Sequence, residues 1–292
     1  MRLAYIISAY VNLSQVDRLI QRLEHEGAVF FVHVDKKTSD EEYETLARAL
    51  MDIPSARLLE RHACYWGGFG HVRATLKGID QLFVRRVPFD YVVLLTGQDY
   101  PIKSNDFIDR FFTENRGTSF MGFDALPTRW WSPRGGLDRI EYWHLRFYGR
   151  HFRFPLKRRF PRGLRAFGGG AYWCLSKECI EYVHRFVAER PDFIQFFKHV
   201  DIPDEIFFQT VIMNSELRDT MVNDNLRYID WTRGRRPAIL ESGDFDRLRE
   251  SSKLFARKFD VRHDENVLNL VDRHLLGAGE WSRGGATNAR TG

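Results

Sequence analysis

Buried strands alternating with amphipathic helices predict an α/β fold for this chain, a Rossmann-type open mixed sheet flanked by helices. Three observations carry that prediction. Ala28-Val29-Phe30-Phe31-Val32-His33-Val34 is an almost unbroken apolar run of strand length. Ahead of it, Val16, Leu19, Ile20 and Leu23 recur at helical spacing, so strand, helix and strand form a βαβ unit with parallel pairing. A third apolar run, Asp90 to Leu95, follows a second helical stretch and extends the same alternation.

The first strand is Leu3 to Ala9, and Ser14 is placed to cap the helix after it. Ser39 with Glu42 reads as a capping box opening a helix to about Met51. A short strand over Arg57–Glu60 and a helix over His71–Val84 come next. After Asp90–Leu95 the chain turns at Thr96-Gly97-Gln98-Asp99-Tyr100-Pro101. Ligands of open α/β sheets sit beyond the carboxyl ends of the strands, which places Val34-Asp35 and Thr96–Asp99 at the nucleotide edge.

From 124 to 168 aromatic and basic residues interleave without clear periodicity, Trp130, Trp131 and Trp143 among Arg146, Arg150 and Arg153. The stretch reads as an acceptor-side loop region, with an arginine-rich solvated face as the alternative. Gly168 to Leu175 resumes as a strand entered through glycines, and Ser176 caps the next helix. Helices near 191–199, 204–214 and 264–275 and a strand over Arg227–Trp231 complete one domain, 1–276. The glycine-rich polar tail, 277–292, is expected to be disordered.

Composition narrows the classes. Hydrophobic residues at 43% and charged residues at 28% are those of a soluble globular chain, and the net charge of +5 favours anionic ligands. Basic and acidic residues (44 and 39) are well mixed and no recognition motif appears, which argues against a nucleic-acid binder. Three cysteines cannot all pair and none forms CxxC, so a reducing compartment is expected, with Cys174 a core thiol. No apolar run reaches spanning length and the first strand is too short for a signal peptide.

Several chemistries are excluded by missing residues. Gly67-Gly68-Phe69-Gly70 precedes a helix but lacks the GK[ST] of a P-loop, and GxGxxG, GxSxG and HExxH are absent. His62 and Cys64 have no second ligand pair at metal spacing. Asp244-Phe245-Asp246 is the one DxD, but it follows Ser242-Gly243 at a helix start, where capping accounts for it better than Mg²⁺ binding. Arg233, Arg235, Arg236 and Lys258, after the last strand, can instead neutralise a diphosphate. Pro203 pre-sets a helical φ and opens a turn from which Asp204 and Glu205 project roughly 100° apart. One carboxylate can cap the helix while the other acts as a lone general base; an ordinary acidic first turn is the alternative.

In chain order, His33-Val34-Asp35-Lys36, Leu95 to Lys103 (LTGQDYPIK), Gly170-Ala171-Tyr172-Trp173, Pro203-Asp204-Glu205 and Leu254 to Asp260 (LFARKFD) make a composite signature. It resembles the core-2/I-branching β-1,6-N-acetylglucosaminyltransferase and peptide O-xylosyltransferase family, in particular its short bacterial members, over residues 3 to 275. The resemblance implies a GT-A-like fold and an inverting transferase moving GlcNAc or xylose from a UDP-sugar to a hydroxyl of a glycan or glycolipid, with no metal or other cofactor. It implies that Glu205 is the base, that Lys258 and Arg235 bind the diphosphate (Arg233 or Arg236 being alternatives to Arg235), and that Val34 and Asp35 lie on the nucleoside side. Asp99, Tyr172, Trp173 and Asp204 are candidates for the acceptor or sugar pocket. Lacking the anchor, stem and disulfides of the animal enzymes, the chain is expected in the bacterial cytoplasm, at the inner membrane face if the basic and aromatic stretch 124–168 makes peripheral contact. A non-catalytic carbohydrate- or polyanion-binding protein is the competing reading.

Overall fold

The computed structural model describes residues 1–147, 149–234 and 236–277. Seven strands form one mixed sheet, in the order Met221–Val222, Ser119–Met121, Trp173–Ser176, Tyr91–Thr96, Leu3–Ala9, Ala28–Val34 and Ala56–Leu58. Trp173–Ser176 runs antiparallel to both of its neighbours, and the remaining pairings are parallel. This is the open, helix-flanked mixed α/β sheet that the alternation predicts.

Strand order locates the crevice. The chain moves outward from Leu3–Ala9 to Ala28–Val34 and Ala56–Leu58, then returns through helix Gly70–Val84 to Tyr91–Thr96 on the other side of the first strand. Connections therefore diverge beyond the carboxyl ends of Leu3–Ala9 and Tyr91–Thr96, the switch point where open sheets bind ligands.

Alternation along the first strand divides the core between the two faces. Leu3, Tyr5 and Ile7 pack with helices Leu13–Leu23, Asn105–Glu114 and Asn266–His274, while Ala4 and Ile6 pack with Gly70–Val84, Lys177–Glu189 and Phe207–Met213. On the first face the fully buried Arg18 donates to Asp272 at 2.7 Å, and Asp272 also accepts from the Tyr100 hydroxyl at 2.7 Å. A second, three-stranded sheet inserts Phe255–Arg257 between Arg227–Ile229 and Asp99–Pro101.

Local departures have identifiable causes. The first helix begins at Leu13, so Ser14 lies inside it; Asn12, with a left-handed φ of 53°, turns its amide to Asp260 at 2.7 Å. Ser39 does cap the next helix, accepting from the Glu42 N–H at 3.2 Å while donating to the Glu42 carboxylate at 3.0 Å. The expected helix 204–214 is interrupted: Pro203–Glu205 is a single 3₁₀ turn, and Ile206 at φ −131° separates it from Phe207–Met213. The stretch 124–168 is far from structureless. It holds a short helix, Leu137–Glu141, and an antiparallel ribbon of Tyr142–Phe147 and Arg150–Lys157.

All three cysteines are free and buried, Cys174 with no exposed surface. Among the described residues no helix is long and apolar enough to cross a membrane. Residues 278–292 of the expected tail lie outside the described residues, as does Arg235.

Candidate active site

Beyond the switch point, backbone hydrogen bonds gather three loops. The Asp35 N–H donates to the Ala9 carbonyl at 2.8 Å, the Gly97 N–H to the Ser8 carbonyl at 2.9 Å, and the Phe259 N–H to the Gln98 carbonyl at 2.9 Å. Lys258 is thereby carried to the edge that Val34, Asp35 and Gln98 also border. Tyr10, about half exposed, stands at the same edge and donates to Gln98 at 2.8 Å. Val34 is buried in the core. The Asp35 carboxylate accepts from the Lys37 N–H at 2.9 Å, the Lys37 ammonium at 2.7 Å and the Cys64 N–H at 3.3 Å, which fixes the loop shape.

The cations divide by their partners. Arg233 is neutralised internally, lying 3.3 Å from Asp230 and donating to Asp244. Asp244 is buried and also accepts from the Glu241 N–H at 3.0 Å, so it caps, while Asp246 is exposed and pairs with Arg249 at 2.9 Å. The DxD carboxylates therefore have separate structural partners. Arg257 lies 3.3 Å from the fully buried Asp99 and 4.2 Å from the centre of the Tyr172 ring. Lys258 is half-buried and its ammonium has no hydrogen-bond or ion-pair partner among the described residues. Burial first, then Arg257 and Arg236, push its pKa below the ordinary lysine value, against the opposing pull of Asp260. Packed cations raise each other's free energy, and a bound anion relieves it.

Glu205 sits in the 3₁₀ turn with a third of its side chain exposed. It is not the lone carboxylate expected. Arg139, its guanidinium 3.8 Å from the centre of the Trp131 ring, donates to Glu205 Oε2 at 2.7 Å. Glu205 Oε1 has no hydrogen-bond partner among the described residues. Burial and the neighbouring Asp204 raise the Glu205 pKa, with Arg139 opposing. Asp204 is pushed up by burial to about 6, and its Oδ1 is buried without a partner. A raised pKa with one oxygen held and the other free suits a group that must accept a proton near neutrality.

One short segment joins the base to the cations. The Gly169 N–H donates to the Glu205 carbonyl at 2.9 Å, and three residues on Tyr172 lies beneath Arg257. Three residues of chain span at most about 11 Å. Glycine is needed here: a Cβ on Gly169 would stand 1.9 Å from the Gly122 carbonyl oxygen. Gly169→Ala should therefore push the two backbones apart, lower stability by about 1–3 kcal/mol and reduce turnover. Unchanged melting temperature and kcat would show that the segment tolerates displacement.

Of the pocket candidates, Tyr172 and Asp204 are part-buried at this site. Asp99 is enclosed, accepting from the Thr96 hydroxyl at 2.8 Å as well as facing Arg257. Trp173 has no exposed surface and packs on Phe208 with ring centres 5.3 Å apart, so it is core and offers no face to a ligand. Arg139 and Trp66 are additions that sequence reasoning missed, while Trp131 belongs to the aromatic and basic stretch read as acceptor-side. Trp66 is 79% exposed, and the adjacent Gly67 carbonyl accepts from the Ile202 N–H at 2.9 Å, three residues before Glu205. Its Trp-Gly-Gly context reads in sequence as an incomplete phosphate loop, and only the fold brings it to Ile202. His33 joins His62 and Cys64, with His33 Nε2 3.0 Å from His62 Nδ1 and His62 Nε2 2.9 Å from the Gly70 carbonyl. That grouping supplies a third ligand-type side chain which the sequence spacing alone does not reveal.

Comparison with known proteins places the chain. Human xylosyltransferase 2 is 28% identical over 307 aligned residues, covering 95% of this chain and 34% of its own length. Human xylosyltransferase 1 is 27% identical over 306, covering 94% and 30%. The chain thus spans about a third of the length of the curated relatives it matches. Among solved structures, the mannosyltransferase PcManGT from Pyrobaculum calidifontis, described in complex with GDP-Man and Mn²⁺, superposes with a TM-score of 0.35 and 11% identity over 62% of this chain and 46% of its own. The family model described as Core-2/I-Branching enzyme matches residues 3–249. By that match the chain belongs to the Core-2/I-branching enzyme family, a family of glycosyltransferases.

Proposed function

We propose that this chain, as a single catalytic domain over 1–276, transfers GlcNAc or xylose from a UDP-sugar to a hydroxyl of a glycan or glycolipid, with inversion and without a divalent metal. One observation carries the reading: a carboxylate with a free oxygen, Glu205, is tied through Gly169–Tyr172 to Arg257, the chain neighbour of Lys258, whose ammonium has no ion-pair partner among the described residues. In this reading Glu205 Oε1 takes the acceptor hydroxyl's proton as that oxygen attacks the anomeric carbon from the face opposite the nucleotide. The C–O bond to the diphosphate breaks, and Lys258 with Arg236 meets the charge left on UDP, a preorganised stabilisation that needs no ion. Arg235 is kept as a third member of that clamp from the resemblance alone. Arg139 orients the base. Because Asp244 and Asp246 are committed to separate helix contacts, the cationic side chains are the better candidates for the diphosphate. The free thiols accord with a cytoplasmic setting in a bacterium, which belongs to the proposal.

A thermal-shift panel tests it. UDP, UDP-GlcNAc and UDP-xylose should raise the melting temperature equally with and without EDTA, since a ligand at 100 times its Kd adds about 2.7 kcal/mol to the folded state. A shift that disappears in EDTA and returns with Mn²⁺ rejects the metal-free clamp. No shift with any UDP compound, alongside glycan binding, favours the non-catalytic reading.

A further inference from the structure

The ribbon formed by Tyr142–Phe147 and Arg150–Lys157 has two unlike faces. Facing residues of an antiparallel pair share a side, and successive residues alternate. The register pairs Trp143 with Phe154, Leu145 with Phe152 and Phe147 with Arg150 on one side; His144 with Arg153 and Arg146 with His151 fall on the other. The second side is fastened to the protein. His144 is buried, its Nε2 2.9 Å from the Asp138 carbonyl, and Arg146 donates to Asp201. Arg158, just past the ribbon, donates to the His199 and Phe196 carbonyls at 2.8 and 2.6 Å.

The first side is left to solvent. Phe147, Phe152, Phe154 and Leu156 are 58%, 47%, 49% and 68% exposed, although soluble surfaces rarely gather large apolar side chains this closely. The charge around them is one-sided. Residues 142–165 contain eight Arg or Lys and no Asp or Glu, more positive charge than the +5 of the whole chain. Arg150, Arg153 and Lys157 of the ribbon are all exposed.

We infer that this ribbon is a membrane-docking surface for an anionic lipid bilayer, the aromatic side entering the headgroup boundary and the basic residues meeting lipid phosphates. Aromatic side chains with an apolar body suit that boundary, and a run of cations without carboxylates gains attraction from an anionic surface with no acidic residue in the run to be repelled by it. A soluble polyanion would use the cations and leave the four apolar side chains in water; a neutral apolar partner would use the apolar side and not the charge. An interface that is both apolar and anionic accounts for both, with Arg150 on the aromatic side of the ribbon and Arg153 on the other. Arg146 holds the ribbon against Asp201 and His144 holds it against the Asp138 carbonyl, so docking brings the Glu205 turn towards the lipid plane. The surface stands on the ribbon's own residues, whatever chemistry Glu205 performs.

Vesicle flotation with the whole chain tests the inference. Binding is expected to vesicles of phosphatidylcholine with phosphatidylglycerol, to fall about tenfold or more on phosphatidylcholine alone, and to weaken with salt. Phe152→Ser with Phe154→Ser should cost about tenfold at unchanged melting temperature, because both side chains are already exposed. Arg150→Glu with Arg153→Glu should abolish the preference for anionic vesicles. Equal binding to both vesicle types, or wild-type binding by the Phe152/Phe154 variant, overturns it; the latter result would reassign the ribbon to polyanion binding.

Discussion

Glu205→Gln is expected to lower kcat by about 10²–10⁴ while leaving the UDP-induced thermal shift in place. The amide keeps the shape of the carboxylate and can still meet Arg139, so binding geometry persists while the proton acceptor is gone. Full turnover in this variant would remove Glu205 from the reaction. The pH profile offers a second reading of the same group. Burial and Asp204 raise the Glu205 pKa, so the base is ionised only above that raised value and kcat/KM should fall as pH drops through it. The acid limb should therefore lie above the ordinary glutamate range, and Glu205→Gln should flatten it. A limb at an ordinary carboxylate pKa would mean that another group is being titrated.

Lys258→Ala should weaken UDP binding by about 10–100-fold, the loss expected when a charge-assisted contact to phosphate is removed from a partly enclosed site. The unliganded protein should behave differently. Lys258 has no ion-pair partner among the described residues, and burial with Arg257 outweighs the pull of Asp260 on its charge, so removing it should not lower the melting temperature in the absence of nucleotide. A weaker ligand with an intact or firmer fold distinguishes a binding cation from a structural one. If UDP affinity, measured by calorimetry, is unchanged, the diphosphate lies elsewhere. If instead the free protein loses stability, Lys258 serves the fold.

The main sheet was legible because its strands are buried on both faces. Leu3–Ala9 and Ala28–Val34 pack between helices on either side, so each reads as an apolar run. The ribbon was not legible, because its period-two signal consists of aromatics separated by arginines, and its exposed side has no core to enforce a simple apolar pattern. Glu205 could be singled out from Pro203 and the helix beyond, but its partner could not. Arg139 is 66 residues away in sequence, and their pairing depends on the fold bringing the Leu137–Glu141 helix beside the turn. Asp99 and Trp173 share a different lesson. Both occur in family-like motifs, and both stand just inside the wall of the site, where burial rather than ligand contact explains them. Arg233 is similar: basic composition marked it for phosphate, but two nearby carboxylates already claim it.

The buried Arg18–Asp272 pair carries a consequence for where this protein can be cut. The family match stops at 249, yet Asp272 lies on the final helix and Lys258 on the stretch leading to it. Trimming the chain to the matched span would strand a guanidinium in an oily interior and take away Lys258, the cation proposed for the diphosphate, in the same stroke. The proposed donor site and closure of the hydrophobic interior thus depend on the same two dozen residues.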